Sequence, residues 1–114
     1  MSLRVEIVTF DCSDPAALAD FWIKATGGAI AASMPGFVLI DATAAGIPHM
    51  GFQSVPEPKQ TKNRMHVDFR TADRTAEVER LVALGASVVE EHQIPGFAWT
   101  VLRDPEGNEF CVGS

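Results

Sequence analysis

The chain states its own opening twice. Val5-Glu6-Ile7-Val8-Thr9-Phe10-Asp11-Cys12-Ser13-Asp14 is a strand-like run that ends in an aspartate, and Met65-His66-Val67-Asp68-Phe69-Arg70-Thr71-Ala72-Asp73 repeats the plan near mid-chain. In each copy an amphipathic segment follows the aspartate and stops at a glycine, Gly27 or Gly85. A duplicated unit too small to bury its own apolar face implies two halves packed together. The expected place for function is a cavity between them.

The internal pattern of each half predicts the same element order. Asp14 followed by Pro15 reads as a helix N-cap with proline in the first turn, after which Leu18, Phe21, Trp22 and Ala25 form one apolar stripe. In the second copy Asp73 starts the helix, Val78, Leu81 and Val82 form the stripe, and Gly85 stops it. β-like runs follow each helix: 29–33, 37–41 and 49–55 in the first half, and 87–91, 98–103 and 109–112 in the second. Asp104-Pro105-Glu106-Gly107 has type I turn chemistry and predicts a hairpin between the last two strands. The expectation is a single α+β domain over residues 1–114, with a βαβββ module at 1–55, a proline-containing polar linker at 56–63 and a second βαβββ module at 64–114.

Composition narrows the class of partner. An apolar fraction of 46% and a charged fraction of 21% are ordinary for a globular chain, and no apolar run reaches the length of a membrane span. A net charge of -6 argues against a nucleic-acid backbone as partner. Two cysteines, Cys12 and Cys111, are too few for a disulfide framework and suit reduced thiols. The first residues show no basic-then-apolar leader, so the expected location is the cytoplasm.

Three features together resemble the vicinal oxygen chelate superfamily, in its small glyoxalase-like, bleomycin-resistance and dioxygenase branch. They are the paired modules with Phe21-Trp22 in the first helix, Asn63-Arg64-Met65-His66-Val67-Asp68 opening the second half, and Asp104-Pro105-Glu106-Gly107-Asn108-Glu109-Phe110 before the last strand. The resemblance implies a cupped mixed β-sheet with helices on its convex side, a small-molecule ligand in the cup, and pairing of two copies as a homodimer. It also implies metal ligands on the first and last strands of each half. By position these fall on Ile7, Gln53, His66 and Cys111. Isoleucine cannot bind metal, and cysteine stands where the family usually carries glutamate. The resemblance therefore implies a chain without a catalytic metal, or, if any, zinc held by Gln53, His66 and Cys111.

Strand parity adds detail. Residues two apart share a face, which groups His49, Gly51 and Gln53, pairs His66 with Asp68, and pairs Glu109 with Cys111. His66 and Asp68 are candidates for acid–base chemistry, or for a mutual hydrogen bond without chemistry. Trp99 is either core or one wall of the site, and Cys111 either a thiol nucleophile or an apolar filler. Met34, Met50 and Met65 are candidates for its border. Two functional readings stay open. One is a metal-free protein that binds a small organic molecule through Gln53, His66, Trp99 and Cys111. The other is a lyase, isomerase or dioxygenase that uses a degenerate metal site or His66 and Asp68.

Overall fold

Asp14 and Asp73 start the two helices in the same way. The Asp14 carboxylate accepts the Ala17 N–H at 3.1 Å, and that of Asp73 accepts the Ala76 N–H at 3.1 Å. Each cap satisfies an amide that the first helical turn would otherwise leave unpaired. The computed structural model describes residues 2–114, and Met1 lies outside the described residues. The order is β1 (Ile7–Cys12), α1 (Pro15–Thr26), β2 (Ala29–Met34), β3 (Phe37–Asp41), a short 3-10 turn (Thr43–Ala45) and β4 (His49–Ser54), followed by β5 (Val67–Arg70), α2 (Arg74–Leu84), β6 (Ser87–Ile94), β7 (Phe97–Arg103) and β8 (Glu109–Gly113). Both halves are thus βαβββ modules, as the duplicated pattern predicts. Two compact units result, one ending at Pro58 and the other spanning Lys59–Ser114.

Each unit holds one mixed four-stranded sheet, ordered β1-β4-β3-β2 in the first and β5-β8-β7-β6 in the second. The opening strand runs parallel to the last one of its unit, and the other pairings are antiparallel. In the first unit α1 packs on β3 and β4, and in the second α2 packs on β7 and β8. The helix-covered faces carry the cores. Leu18, Phe21 and Trp22 meet Val38, Ile40, Met50 and Phe52 in the first unit, and Leu81 serves Leu102, Phe110 and Val112 in the second; all are buried. Met50 is therefore core rather than site border.

The second helix departs from the expected stripe at Val82, which is 44% exposed. The reason lies in the residues that share the sheet-facing side of α2. Arg74 occupies part of it and donates to the fully buried Thr100 hydroxyl at 2.6 Å, so Leu81 is the one buried residue of α2. Val82 falls to the flank.

The duplication persists in details that periodicity does not show. Met34-Pro35-Gly36-Phe37 and Ile94-Pro95-Gly96-Phe97 form matching hairpins, with Gly36 at φ 77° and Gly96 at φ 82°. Proline sets the first turn residue and glycine takes the left-handed second one. The β2–β3 register shifts between Ile30 and Ala32, and the β6–β7 register shifts at the equivalent place, between Val88 and Glu90. The Asp104–Gly107 turn also forms. The Asp104 carboxylate is nearly buried and accepts the amides of Glu106 at 2.9 Å and Asn108 at 3.0 Å.

Candidate functional site

With α2 on one side of the second sheet, the opposite side has no helix of its unit over it, and the register arranges its side chains in rows. Asp68 lies opposite Cys111, Cys111 opposite Val101, and Val101 opposite Glu90. The next row reads Arg70, Gly113, Trp99, His92. His66 sits one residue before β5 and shares the face of Asp68. The expected sharing of faces is thus realised in the second unit.

At the centre of this face is a carboxylate between two partners. Asp68 Oδ1 lies 2.7 Å from His66 Nδ1, and Cys111 Sγ lies 4.0 Å from the same ring nitrogen. The natural sharing of protons is Nδ1–H donated to Asp68, which leaves His66 Nε2 with a basic lone pair. Cys111 is partly buried. Burial first, and then the Asp68 carboxylate that accepts its S–H, push the thiol up to about 11. A thiol so held is neutral at pH 7 and is no nucleophile.

Beside the cluster Lys62 reaches back from the segment before β5 and pairs with Glu109, whose backbone carbonyl accepts from Asn63 Nδ2 at 2.9 Å. That ion pair lowers the Glu109 carboxyl and raises the Lys62 ammonium from their ordinary values. It fixes the strap ahead of His66 to the first residue of β8.

Trp99 is part of a stack. His92 and Trp99 lie nearly parallel with centroids 5.0 Å apart, Phe97 and Trp99 are stacked at 5.6 Å, and the Arg70 guanidinium caps the Phe97 ring at 5.3 Å. Gly113 makes this possible. A Cβ there would come within 2.7 Å of the Phe97 ring, so the missing side chain is the slot that Phe97 fills. The Trp99 indole thus has two stacked ring neighbours, His92 and Phe97. Phe97, His92, Arg70 and Lys62 belong to this face although pattern alone did not select them as a set. The cross-strand register that joins them is invisible without the bulge in β6.

Gln53 has a different setting. It is exposed on β4 of the first unit, opposite Asp11 and Phe37, and its side chain lies on the helix-free face of that sheet with His49 and Ile7. Among the described residues the donors that gather are His66, Asp68 and Cys111, whose ligand atoms all lie within 4.8 Å of one another. This set mixes a ring nitrogen, a carboxylate oxygen and a sulfur. It does not fit a hard ion such as Mn(II), which prefers oxygen donors and gains little from a thiol.

Comparison with known proteins agrees with this architecture. The family profile of the glyoxalase-like domain matches residues 7–113. No curated protein matches the chain. Among solved structures, a glyoxalase/bleomycin resistance protein/dioxygenase family enzyme from Burkholderia phytofirmans PsJN superposes with a TM-score of 0.80 at 19% identity, covering 97% of this chain and 98% of that one. A fosfomycin resistance protein from Listeria monocytogenes, in complex with Mn(II) and a dihydroxypropylphosphonic acid, gives 0.80 at 15% identity over 98% and 89% of the two chains. A lactoylglutathione lyase from Agrobacterium tumefaciens gives 0.70 at 20% identity over 96% and 92%. At these identities the likeness is one of fold. With the profile spanning both βαβββ units, the chain belongs to the glyoxalase-like domain family and, with it, to the vicinal oxygen chelate superfamily.

Proposed function

We propose that this glyoxalase-like protein binds a small organic molecule on the helix-free side of its second sheet, without a catalytic Mg, Mn or Fe ion. The observation that carries the reading is the His66–Asp68 contact at 2.7 Å beside a neutral Cys111. A protein that holds a hard catalytic metal needs about three compatible ligands and an open position. Here Ile7 supplies none and Cys111 supplies a protonated thiol. What remains is a surface suited to recognition: His66 Nε2 as acceptor, the Trp99 edge as an apolar and N–H contact, and Arg70 near the Phe97 ring. Gln53, exposed on β4 of the first unit, is a separate candidate contact on that unit's helix-free face.

The oriented His66 also favours a second reading. A carboxylate that fixes the imidazole tautomer makes Nε2 a competent base, so a lyase or isomerase that moves a proton next to a carbonyl suits the same dyad. We place the protein in the cytoplasm and expect it to act as a homodimer, since β1, β2, β5 and β6 each end a sheet and leave backbone groups to be paired.

The test uses ligands drawn from the structural relatives. Bleomycin, fosfomycin and S-lactoylglutathione are titrated against the purified protein in the presence of a chelator, with melting temperature and calorimetric heat as readouts. Binding that survives the chelator supports the proposal. Binding or turnover that appears only after Mn(II) is added would overturn it.

A further inference from the structure

We infer that Arg70 is the anchor for a carboxylate group, so that the molecule held on the open face of the second sheet is an organic acid with an apolar body. The inference rests on the proposed function and assigns a chemical class to its ligand. Arg70 closes β5 and stands on the same face as Asp68, yet that carboxylate is turned to His66 Nδ1 at 2.7 Å. Among the described residues Arg70 makes no ion pair, in a chain whose acidic side chains outnumber its basic ones by 15 to 9. Its charge is met by a ring instead, with the guanidinium 5.3 Å from the Phe97 centroid.

That ring holds the guanidinium in place without using its donors. Phe97 is seated in the space left by Gly113 and stacked on Trp99, which is stacked in turn on His92. A cation resting on an aromatic face gains attraction from the ring and keeps its rigid N–H fork. The fork can meet two carboxylate oxygens at once, and a group already held loses less freedom when it does so. Apolar neighbours lie beside it: Trp99 in the same row, and in the next row the neutral Cys111 and the buried Val101. An acid group on Arg70, an apolar body against these side chains and a donor directed to His66 Nε2 use the whole face. A cationic group would be repelled at Arg70.

The probe is para-hydroxyphenylacetate, which carries an acid, a ring and one hydroxyl donor, and its neutral isostere para-hydroxyphenylacetamide is the control. Each is titrated by calorimetry against the full chain in chelator-containing buffer at neutral pH and constant ionic strength. The acid should bind at least about tenfold tighter than the amide, the size of a charge-assisted hydrogen bond. Arg70→Gln should bring the two affinities within about twofold of each other, and Arg70→Lys, which keeps the charge and loses the fork, should restore part of the gap. A residue that only covered Phe97 would change both affinities together and leave their ratio where it was. Circular dichroism and tryptophan fluorescence check that the fold and the stack persist in each variant. An acid preference that survives Arg70→Gln would overturn the inference. So would equal affinities for acid and amide in the wild type; if both then fall in His66→Ala, the organic-ligand reading stands without the anchor. Failure of both probes to bind the wild type would overturn the two together, and tighter binding of the matching phosphonate would overturn the assignment to a carboxylate.

Discussion

Asp68 stands between His66 and Cys111 on the open face of the second sheet, 2.7 Å from the imidazole Nδ1 and directly opposite the cysteine in the parallel register. One carboxylate thereby touches both groups: it lies against the imidazole Nδ1 and, after burial, is the second cause that holds the thiol up. Four expectations about behaviour follow from this relationship and from the packing around it.

Replacing His66 with alanine should weaken the binding of an organic ligand and leave the melting temperature nearly unchanged, because the ring is half exposed and outside the helix-side core. The loss of one hydrogen bond amounts to about 0.5–1.5 kcal/mol, or about 3 if the bond is charged. Titration of wild type and variant measures it. A rate loss of about 100-fold at unchanged affinity would instead select the acid–base reading, and a fall in melting temperature with affinity retained would remove His66 from the site.

Cys111 should be slow to alkylate at neutral pH. With the thiol raised from 9.0 to about 11, the thiolate fraction at pH 7 is about one in ten thousand, and the rate should climb about tenfold per pH unit toward 11. The sign for stability is the same. A raised thiol favours the folded protein below the ordinary value of 9.0 and loses that contribution as pH rises toward 11. Iodoacetamide labelling followed by peptide mass mapping separates Cys111 from Cys12. Asp68→Asn should speed the reaction at neutral pH.

Gly113→Ala should displace the Phe97 ring, since the new methyl would lie 2.7 Å from its tip and the ring is held between Arg70 and Trp99. The cost is about 1–3 kcal/mol. Urea denaturation gives the stability change, and tryptophan fluorescence of the folded protein reports the rearranged stack. An unchanged spectrum together with unchanged stability would show that the stack is loose.

Asp104→Ala should be more damaging than its place in a turn suggests. Its nearly buried carboxylate accepts two backbone amides and the Asn108 side chain, and these donors would lose their partner. A loss of roughly 2–3 kcal/mol is expected from unsatisfied buried donors. Asp104→Asn should cost less, because the amide oxygen still accepts.

The parts of this structure legible in the sequence are those decided by short-range chemistry. Asp14 and Asp73 declare themselves as caps, Gly27 and Gly85 as stops, and Asp104-Pro105-Glu106-Gly107 as a turn, because each acts on its own neighbours. His66 and Asp68 share a face by parity alone. What stayed hidden depends on pairing between strands. The register shifts after Ile30 and Val88, the seating of Phe97 over Gly113, and the stack of Trp99 on His92 all join residues distant in sequence. Val82 was misplaced because hydrophobic spacing cannot show that Arg74 takes part of the side facing the sheet.

The repeated hairpin also bears on how such a chain can change. In the first unit Phe37 lies against Gly51, where a Cβ would come within 2.9 Å of the ring, much as Phe97 lies against Gly113 in the second. Each half keeps its aromatic brace and its helix-side core, while the outward positions have gone separate ways, isoleucine at 7 in one and histidine at 66 in the other. The helix-side core and these outward positions are therefore on opposite sides of the same strands. Selection can rewrite the second set without unravelling the first, and a lineage built on this plan can exchange one chemistry for another at little cost to folding.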